Sequence, residues 1–254
     1  MASFPDQWDD GTDPASPEHQ VHWYDERTVI IRQALRTNFE GPFIYLLLGT
    51  ERALLLDTGT GHARLRPVVE DLLAGQELIV AHTHGHRDHI GGDDEFESVV
   101  GTSTEEVAAY FGIDGWPDDV VQLDLGERVL DIIAIPGHQG ADIAVYDRVT
   151  RLLLTGDSVY PGRLYVKDWS AFRESVRRLA GFVAGGNPLE WVLGAHVELT
   201  DRPGEDYDPG ADVHPAEHPL QLDPAVLTEL ATVLDEAGAQ PVRIVRDHFI
   251  VYPV

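Results

Sequence analysis

Between Ala81 and Asp94 the chain reads AHTHGHRDHIGGDD, with four histidines and one aspartate crowded into the eight residues His82–His89 and a glycine pair soon behind them. No ordinary helix or strand needs that composition. His84, His86, Asp88 and His89 form the pattern H-x-H-x-D-H. The preceding ELIVAH is a short apolar run expected as a strand, and residues two apart at its end project to the same side. His84 and His86 would therefore face one point. Asp88 and His89 are adjacent and must diverge, which suits two neighbouring ions better than one. Gly91 and Gly92 let the next turn approach without side-chain crowding. His82, two residues before His84, lies on the same strand face but outside the pattern.

Three further metal-type ligands stand just beyond expected strands: His138 in IIAIPGHQGAD, Asp157 in RLLLTGDSVYPG and His196 in WVLGAH. Repetition of one structural address points to convergence at one edge of the sheets. The chain has no cysteine, so thiolate ligands and disulfides are excluded and any ion is held by His, Asp or Glu. Imidazole and carboxylate suit zinc, iron or manganese.

The elements that must position these residues are short. RTVIIRQ, FIYLLLG and RALLLDTG read as antiparallel strands, and HARLRPVVEDLLAG, from His62, as a helix with a glycine stop. EEVAAYFG reads as a helix, VVQLDLG, RVLDIIAIPG, ADIAVYD and RLLLTGD as strands, and DWSAFRESVRRLAGFVAG as an amphipathic helix. Residues 197–222 are rich in Pro, Gly and Asp and read as a long ordered loop. A helix over 224–237 and one final strand, RIVRDHFIVYPV, complete the series. Residues 1–20 are expected as an irregular arm and 21–254 as a single α/β domain.

At 254 residues and net charge −26, with Lys167 the sole lysine, the surface repels phosphate backbones, so nucleic acid is not an expected partner. The N-terminal stretch lacks the basic start and apolar run of a signal peptide, and no stretch is apolar enough to span a membrane. A cytoplasmic location is expected, with no membrane partner.

With these motifs the sequence resembles the metallo-β-lactamase-fold superfamily of metallohydrolases over most of residues 25–200. The resemblance implies a four-layer αβ/βα sandwich of two mixed β-sheets flanked by helices, with a two-metal site along one edge. By the same resemblance His84, His86 and His138 correspond to the ligands of a first metal. Asp88, His89 and His196 correspond to those of a second, and Asp157 to the carboxylate bridging both. LLLDTGTG matches the family's early D-x-G motif, which makes Asp57 the orienting partner of a ligand histidine. The implied cofactors are two divalent ions, Zn2+ first, with Fe or Mn as alternatives.

Zinc lowers the pKa of bound water far below that of the bulk liquid, to about 7. A hydroxide bridging the two ions is then expected to attack an ester, thioester, lactone or amide carbonyl of a small acyl substrate, with Asp88 orienting it. The absence of cysteine and the presence of Asp157 place the pattern nearer glyoxalase II and the lactonases than true β-lactamases. Two features separate it from glyoxalase II and its relatives: the segment after the long loop is short for a helical C-terminal domain, and QGAD follows the His138 motif. Tyr160 and Tyr165, soon after Asp157, are the candidate substrate residues. His214 and His218, in the long loop, read as surface histidines. The rival readings are a mononuclear iron oxidoreductase of the persulfide-dioxygenase kind and a non-catalytic metal-bound scaffold.

Overall fold

Runs of aliphatic residues too apolar for any solvated position set the first sheet. In the computed structural model, which describes residues 2–254, they form β1 (His19–Asp25), β2 (Thr28–Gln33), β3 (Phe43–Leu48), β4 (Arg52–Leu56) and β5 (Glu77–Ala81), hydrogen-bonded in that order. The first four are antiparallel. β5 runs parallel to β4, as a crossover connection requires, and the crossover carries α1 (Arg66–Leu72). One sheet face presents Val29, Ile31, Ile44, Leu46, Leu48 and Leu55 to Leu65 and Val69 of the α1 segment. Burying one such aliphatic side chain contributes about 1.5–3 kcal/mol.

α1 starts at Arg66, four residues later than expected. The Glu95 carboxylate accepts hydrogen bonds from the Leu65 and Arg66 amides (2.9 and 3.2 Å), and Pro67 sits in the first turn, so the helix begins where its free N–H groups are satisfied. The strand β1 was not anticipated. Its burial alternates and leaves Trp23 and Val21 exposed, so it lacks the apolar run that marks its neighbours.

The chain divides into two compact units. This first one comprises the chain up to Thr102 with Asp124–Val129 and Asp208–Pro215. It also carries α2 (Arg87–Ile90), a single turn holding Asp88 and His89.

The second unit begins with α3 (Thr104–Phe111), which is closed at its start by a capping box between Ser103 and Glu106 and at its end by Gly112 at φ 76°. There follow β6 (Val120–Asp124), β7 (Val129–Ala134), β8 (Ile143–Asp147), β9 (Leu152–Leu154), β10 (Arg163–Val166), α4 (Trp169–Ala184), β11 (Trp191–Leu193), β12 (Gln221–Leu222), α5 (Ala225–Ala237), β13 (Ile244–Val245) and β14 (Ile250–Pro253). Six of these strands form a mixed sheet in the order β12-β11-β9-β8-β7-β6, in which β9 and β11 are parallel. Phe172, Val176 and Leu179 of α4 and Leu227, Leu230 and Leu234 of α5 share a core with Ile133, Leu153 and Val192 of that sheet. Their spacing of three, four and seven residues is that of one helical face.

A separate three-stranded sheet, β10-β14-β13, departs from the expectation of two sheets. The expected terminal strand folds back on itself because Arg246, Asp247 and His248 form a turn, closed by the Arg246 amide on the Phe249 carbonyl at 2.9 Å. The loop over 197–222 is ordered by pairings of Leu199 with Asp206 and of Thr200 with Glu217. No helix of the described residues is long and apolar enough to cross a membrane.

Candidate metal centre

β4 and β5 run in parallel and end side by side, Leu56 opposite Ala81, and both deliver side chains at that edge. Asp57 follows β4 at φ 72°, a conformation aspartate tolerates better than most residues. Its carboxylate accepts hydrogen bonds from the Thr83 amide (2.7 Å) and hydroxyl (2.9 Å) and lies 2.8 Å from His89 Nδ1. Both side chains are buried. A carboxylate only accepts, so the proton of a neutral His89 sits on Nδ1 and the Nε2 lone pair faces away from Asp57. His89 Nε2 lies 3.2 Å from Asp88 Oδ2, and His84 Nε2 lies 2.9 Å from His86 Nδ1.

The glycine pair holds this corner together. The Gly91 amide donates to the Gly59 carbonyl and the Thr58 amide to the His89 carbonyl, at 2.8 and 2.7 Å. A Cβ on Gly91 would stand 2.4 Å from the Thr60 carbonyl carbon, which no side chain permits. His82 is buried outside the cluster, with Nε2 3.2 Å from Asp93 Oδ1 and Nδ1 3.8 Å from Asp57 Oδ1.

In the second unit His138 follows β7, and its Nδ1 donates to the Tyr165 carbonyl on β10 at 2.8 Å, which leaves Nε2 as the ligating nitrogen. Asp157 follows β9 and His196 follows β11. The two parallel strands end together, with the Ala195 amide donating to the Gly156 carbonyl at 3.0 Å. Asp157 divides its oxygens, Oδ2 lying 3.7 Å from His138 Nε2 and Oδ1 3.3 Å from His196 Nε2.

Two groups of side chains each offer one ligand atom per residue, all within 4.8 Å of one another: His84, His86, His138 and Asp157, and Asp88, His89, Asp157 and His196. Asp157 belongs to both. The donors are all imidazole nitrogen and carboxylate oxygen. His89 and His138 have their outer nitrogens held by a carboxylate and a carbonyl, the arrangement that fixes the tautomer of a ligating histidine. The residues therefore fit divalent metal ions.

The candidate substrate tyrosines have other partners. Tyr160 is fully buried, its ring edge against His196 at 5.9 Å between centroids and its hydroxyl engaged by Glu198 Oε2 (2.9 Å) and the Arg163 carbonyl (2.5 Å). Burial, reinforced by Glu198 and Asp157, pushes that hydroxyl well above the ordinary phenol range, so it stays protonated. The Tyr165 hydroxyl accepts from Arg163 Nε at 2.9 Å. Arg163 is buried and pairs with Glu198 at 3.0 Å and Asp206 at 2.7 Å. Burial opposes its charge, but these carboxylates hold its pKa above the usual value. Sequence patterning did not single out Arg163, Glu198 or Thr83. Glu198 stands two residues after His196, and that proximity was the available signal.

The sequence profile of the metallo-beta-lactamase superfamily matches residues 37–227. Among curated proteins, the acyl-coenzyme A thioesterase MBLAC2 of Gallus gallus is 29% identical over 203 residues, which cover 61% of this chain and 72% of that protein. The hydroxyacylglutathione hydrolase of Ectopseudomonas mendocina is 34% identical over 155 residues, covering 56% of this chain and 58% of that protein. Among solved structures, a metallo-beta-lactamase from Pontibacter korlensis superposes with a TM-score of 0.57 at 18% identity, covering 85% of this chain and 99% of that one. The DIM-1 metallo-beta-lactamase gives 0.59 at 16%, covering 87% and 99%. At such identities the likeness shows the fold alone.

Proposed function

The chain belongs to the metallo-beta-lactamase superfamily and is a metal-dependent hydrolase, and from that premise we propose that it is a dinuclear zinc enzyme cleaving the carbonyl of a small acyl substrate, with thioesters first and esters, lactones and amides next. The observation that carries the reading is the shared carboxylate: Asp157 belongs to both groups of candidate ligands, one oxygen toward His138 and the other toward His196. In this reading His84, His86 and His138 hold one ion, Asp88, His89 and His196 the other, and Asp157 both. The choice of thioesters rests on the curated relatives, whose names specify an acyl-coenzyme A and a hydroxyacylglutathione.

When bound, the ions supply a water acidic enough to lose its proton near neutral pH and a Lewis acid for the carbonyl oxygen. The protein's own groups do the rest. Asp57 holds the Nδ1 proton of His89, and the Tyr165 carbonyl holds that of His138, so both rings present Nε2 without tautomeric exchange. Asp88, half-buried, orients the attacking water and accepts its proton for transfer to the leaving group. Tyr160, its hydroxyl committed to Glu198 and the Arg163 carbonyl, packs its ring edge against His196, which leaves Tyr165, whose hydroxyl accepts from Arg163, as the remaining candidate for a substrate contact. Residues 21–254 act as one functional domain behind a short arm. The acidic surface favours small-molecule substrates over nucleic acid or membranes, and cytoplasmic chemistry is consistent with it.

A panel of acyl-thioesters, esters, lactones and β-lactams tests the reading. Chelator-sensitive thioester hydrolysis, restored by zinc, is the expected result. Oxygen uptake with a persulfide and no hydrolysis of any acyl compound would overturn it.

A further inference from the structure

Outside the seven candidate ligands, a second pair of histidines is built like one of theirs. His218, in the 197–222 loop, and His248, in the turn between β13 and β14, meet with His218 Nε2 2.9 Å from His248 Nδ1, ring centroids 5.1 Å apart and planes at 78°. For His84 and His86 the corresponding values are 2.9 Å, 4.7 Å and 79°. The outer nitrogen is also fixed, since His218 Nδ1 donates to the Pro219 carbonyl at 2.6 Å, as His138 Nδ1 does to that of Tyr165. The Nε2 lone pair of His218 is thereby committed toward His248.

The pair lines a cavity of about 600 Å³ together with Trp191, Asp201, Asp223 and Asp247, and none of the seven candidate ligands lines it. No lysine or arginine is among its lining residues, so the local charge favours a cation. Among the described residues no third His, Cys, Asp or Glu brings a ligand atom within 4.8 Å of both nitrogens. A site with two imidazoles and open positions is completed by water and suits ions that bind nitrogen strongly in tetragonal or octahedral geometry, which is the order Cu2+ and Ni2+ before Zn2+ and Mn2+.

We propose that His218 Nε2 and His248 Nδ1 form a second, solvent-accessible site for a divalent first-row transition ion, separate from the candidate metal centre. His248 is exposed, so its Nδ1 proton moves to Nε2 as the ion binds and the site fills without net proton release from the neutral pair. The ion clips the long loop to the C-terminal hairpin. That loop carries Glu198 and Asp206, which hold Arg163 on β10, and β10 pairs with β14 of the same hairpin. Occupancy therefore ties down the support beneath His196 and Tyr165 while leaving the ligands alone.

The test is titration of the untagged holoenzyme, cleared of excess metal, with Ni2+ by calorimetry, with all metals bound and released counted by mass spectrometry. The expected result is one additional Ni2+ per chain, no loss of the resident metal, at least tenfold weaker uptake in both His218→Gln and His248→Gln, and unchanged uptake in His22→Gln. Hydrolysis by the resident site stays at the wild-type rate in His248→Gln, which separates failure of this proposal from failure of the hydrolase reading. Should His218→Gln fold poorly, His248→Gln decides alone, since its side chain is exposed. Absence of an extra equivalent in the wild type overturns the proposal and leaves the pair a hydrogen bond only. Uptake undiminished in His248→Gln, or matched by released resident metal, overturns it equally.

Discussion

Asp57 and His89 meet at 2.8 Å, carboxylate Oδ2 to imidazole Nδ1, with neither side chain more than 1% exposed. Thr83 binds the same carboxylate through both its amide and its hydroxyl, so Asp57 cannot swing away from the ring it orients. A carboxylate so placed sets which nitrogen of His89 carries the proton. Asp57→Asn should therefore lower affinity for the second ion by about 10–100-fold, the usual cost of losing such an outer partner. Competition with a chromogenic chelator reads this directly. Affinity equal to wild type would remove Asp57 from the account.

Asp157 is the residue common to both candidate ligand groups. Asp157→Ala should lose more than Asp57→Asn does, with turnover reduced by well over a hundredfold and metal content falling to one ion per chain or fewer. Full content and rate in that variant would show the carboxylate to be a bystander.

The candidate ligand pattern was legible because it is local and chemically unusual. H-x-H-x-D-H needs no tertiary knowledge, and each later ligand stands immediately after an apolar run that reads as a strand. The supports were not legible. Arg163, Glu198 and Asp206 are ordinary charged residues whose pairing depends on the 197–222 loop folding back onto Pro161 through the Glu198 and Leu199 amides, a contact between segments far apart in sequence. β10 itself is only four residues long with an arginine at its start, which masks the strand signal. The His218–His248 contact was hidden for the same reason, since the terminal strand was expected to run straight through the turn that carries His248.

The buried Arg163 gives a stability prediction. Glu198→Ala removes one of its two carboxylate partners, and also the acceptor of the Tyr160 hydroxyl and of the Arg163 amide. Breaking a buried ion pair on one side costs about 3–5 kcal/mol. Asp206 and the Tyr207 carbonyl still hold the guanidinium, so the lower end applies. Glu198→Gln keeps the acceptor and should cost less. Urea unfolding of the metal-loaded variants measures both, and equal stability of wild type and Glu198→Ala would contradict the network's role.

Alkaline pH should destabilise the fold through its buried phenols. Burial pushes Tyr45 and Tyr160 well above the ordinary value of 10, so in the folded chain they keep their protons where the unfolded chain loses them. Their contribution is fully present below pH 10 and declines as pH rises toward the folded values, by about 1.4 kcal/mol per pH unit for each tyrosine. Absorbance at the phenolate band should show them among the last of the eight tyrosines to titrate, in step with unfolding. Ionisation of all eight near pH 10 with the fold intact would refute this.

Gly91 tests the backbone behind the histidines. With the Thr60 carbonyl carbon 2.4 Å from where a Cβ would stand, Gly91→Ala must displace the turn that carries Asp88 and His89. The expected cost is about 1–3 kcal/mol of overpacking, together with weaker binding at the second ion. Thermal melts with and without zinc distinguish the two effects, and a variant that melts and binds like wild type would show the corner to be loose.

The most direct measurement is the metal content of the untagged protein in the His248→Gln background, which removes the proposed accessory site from the count. Dialysed against metal-free buffer and analysed by mass spectrometry, it should retain close to two zinc ions per chain and hydrolyse an acyl-thioester in proportion to them. One iron per chain, or two zinc ions with no hydrolysis of any acyl compound, would contradict the account.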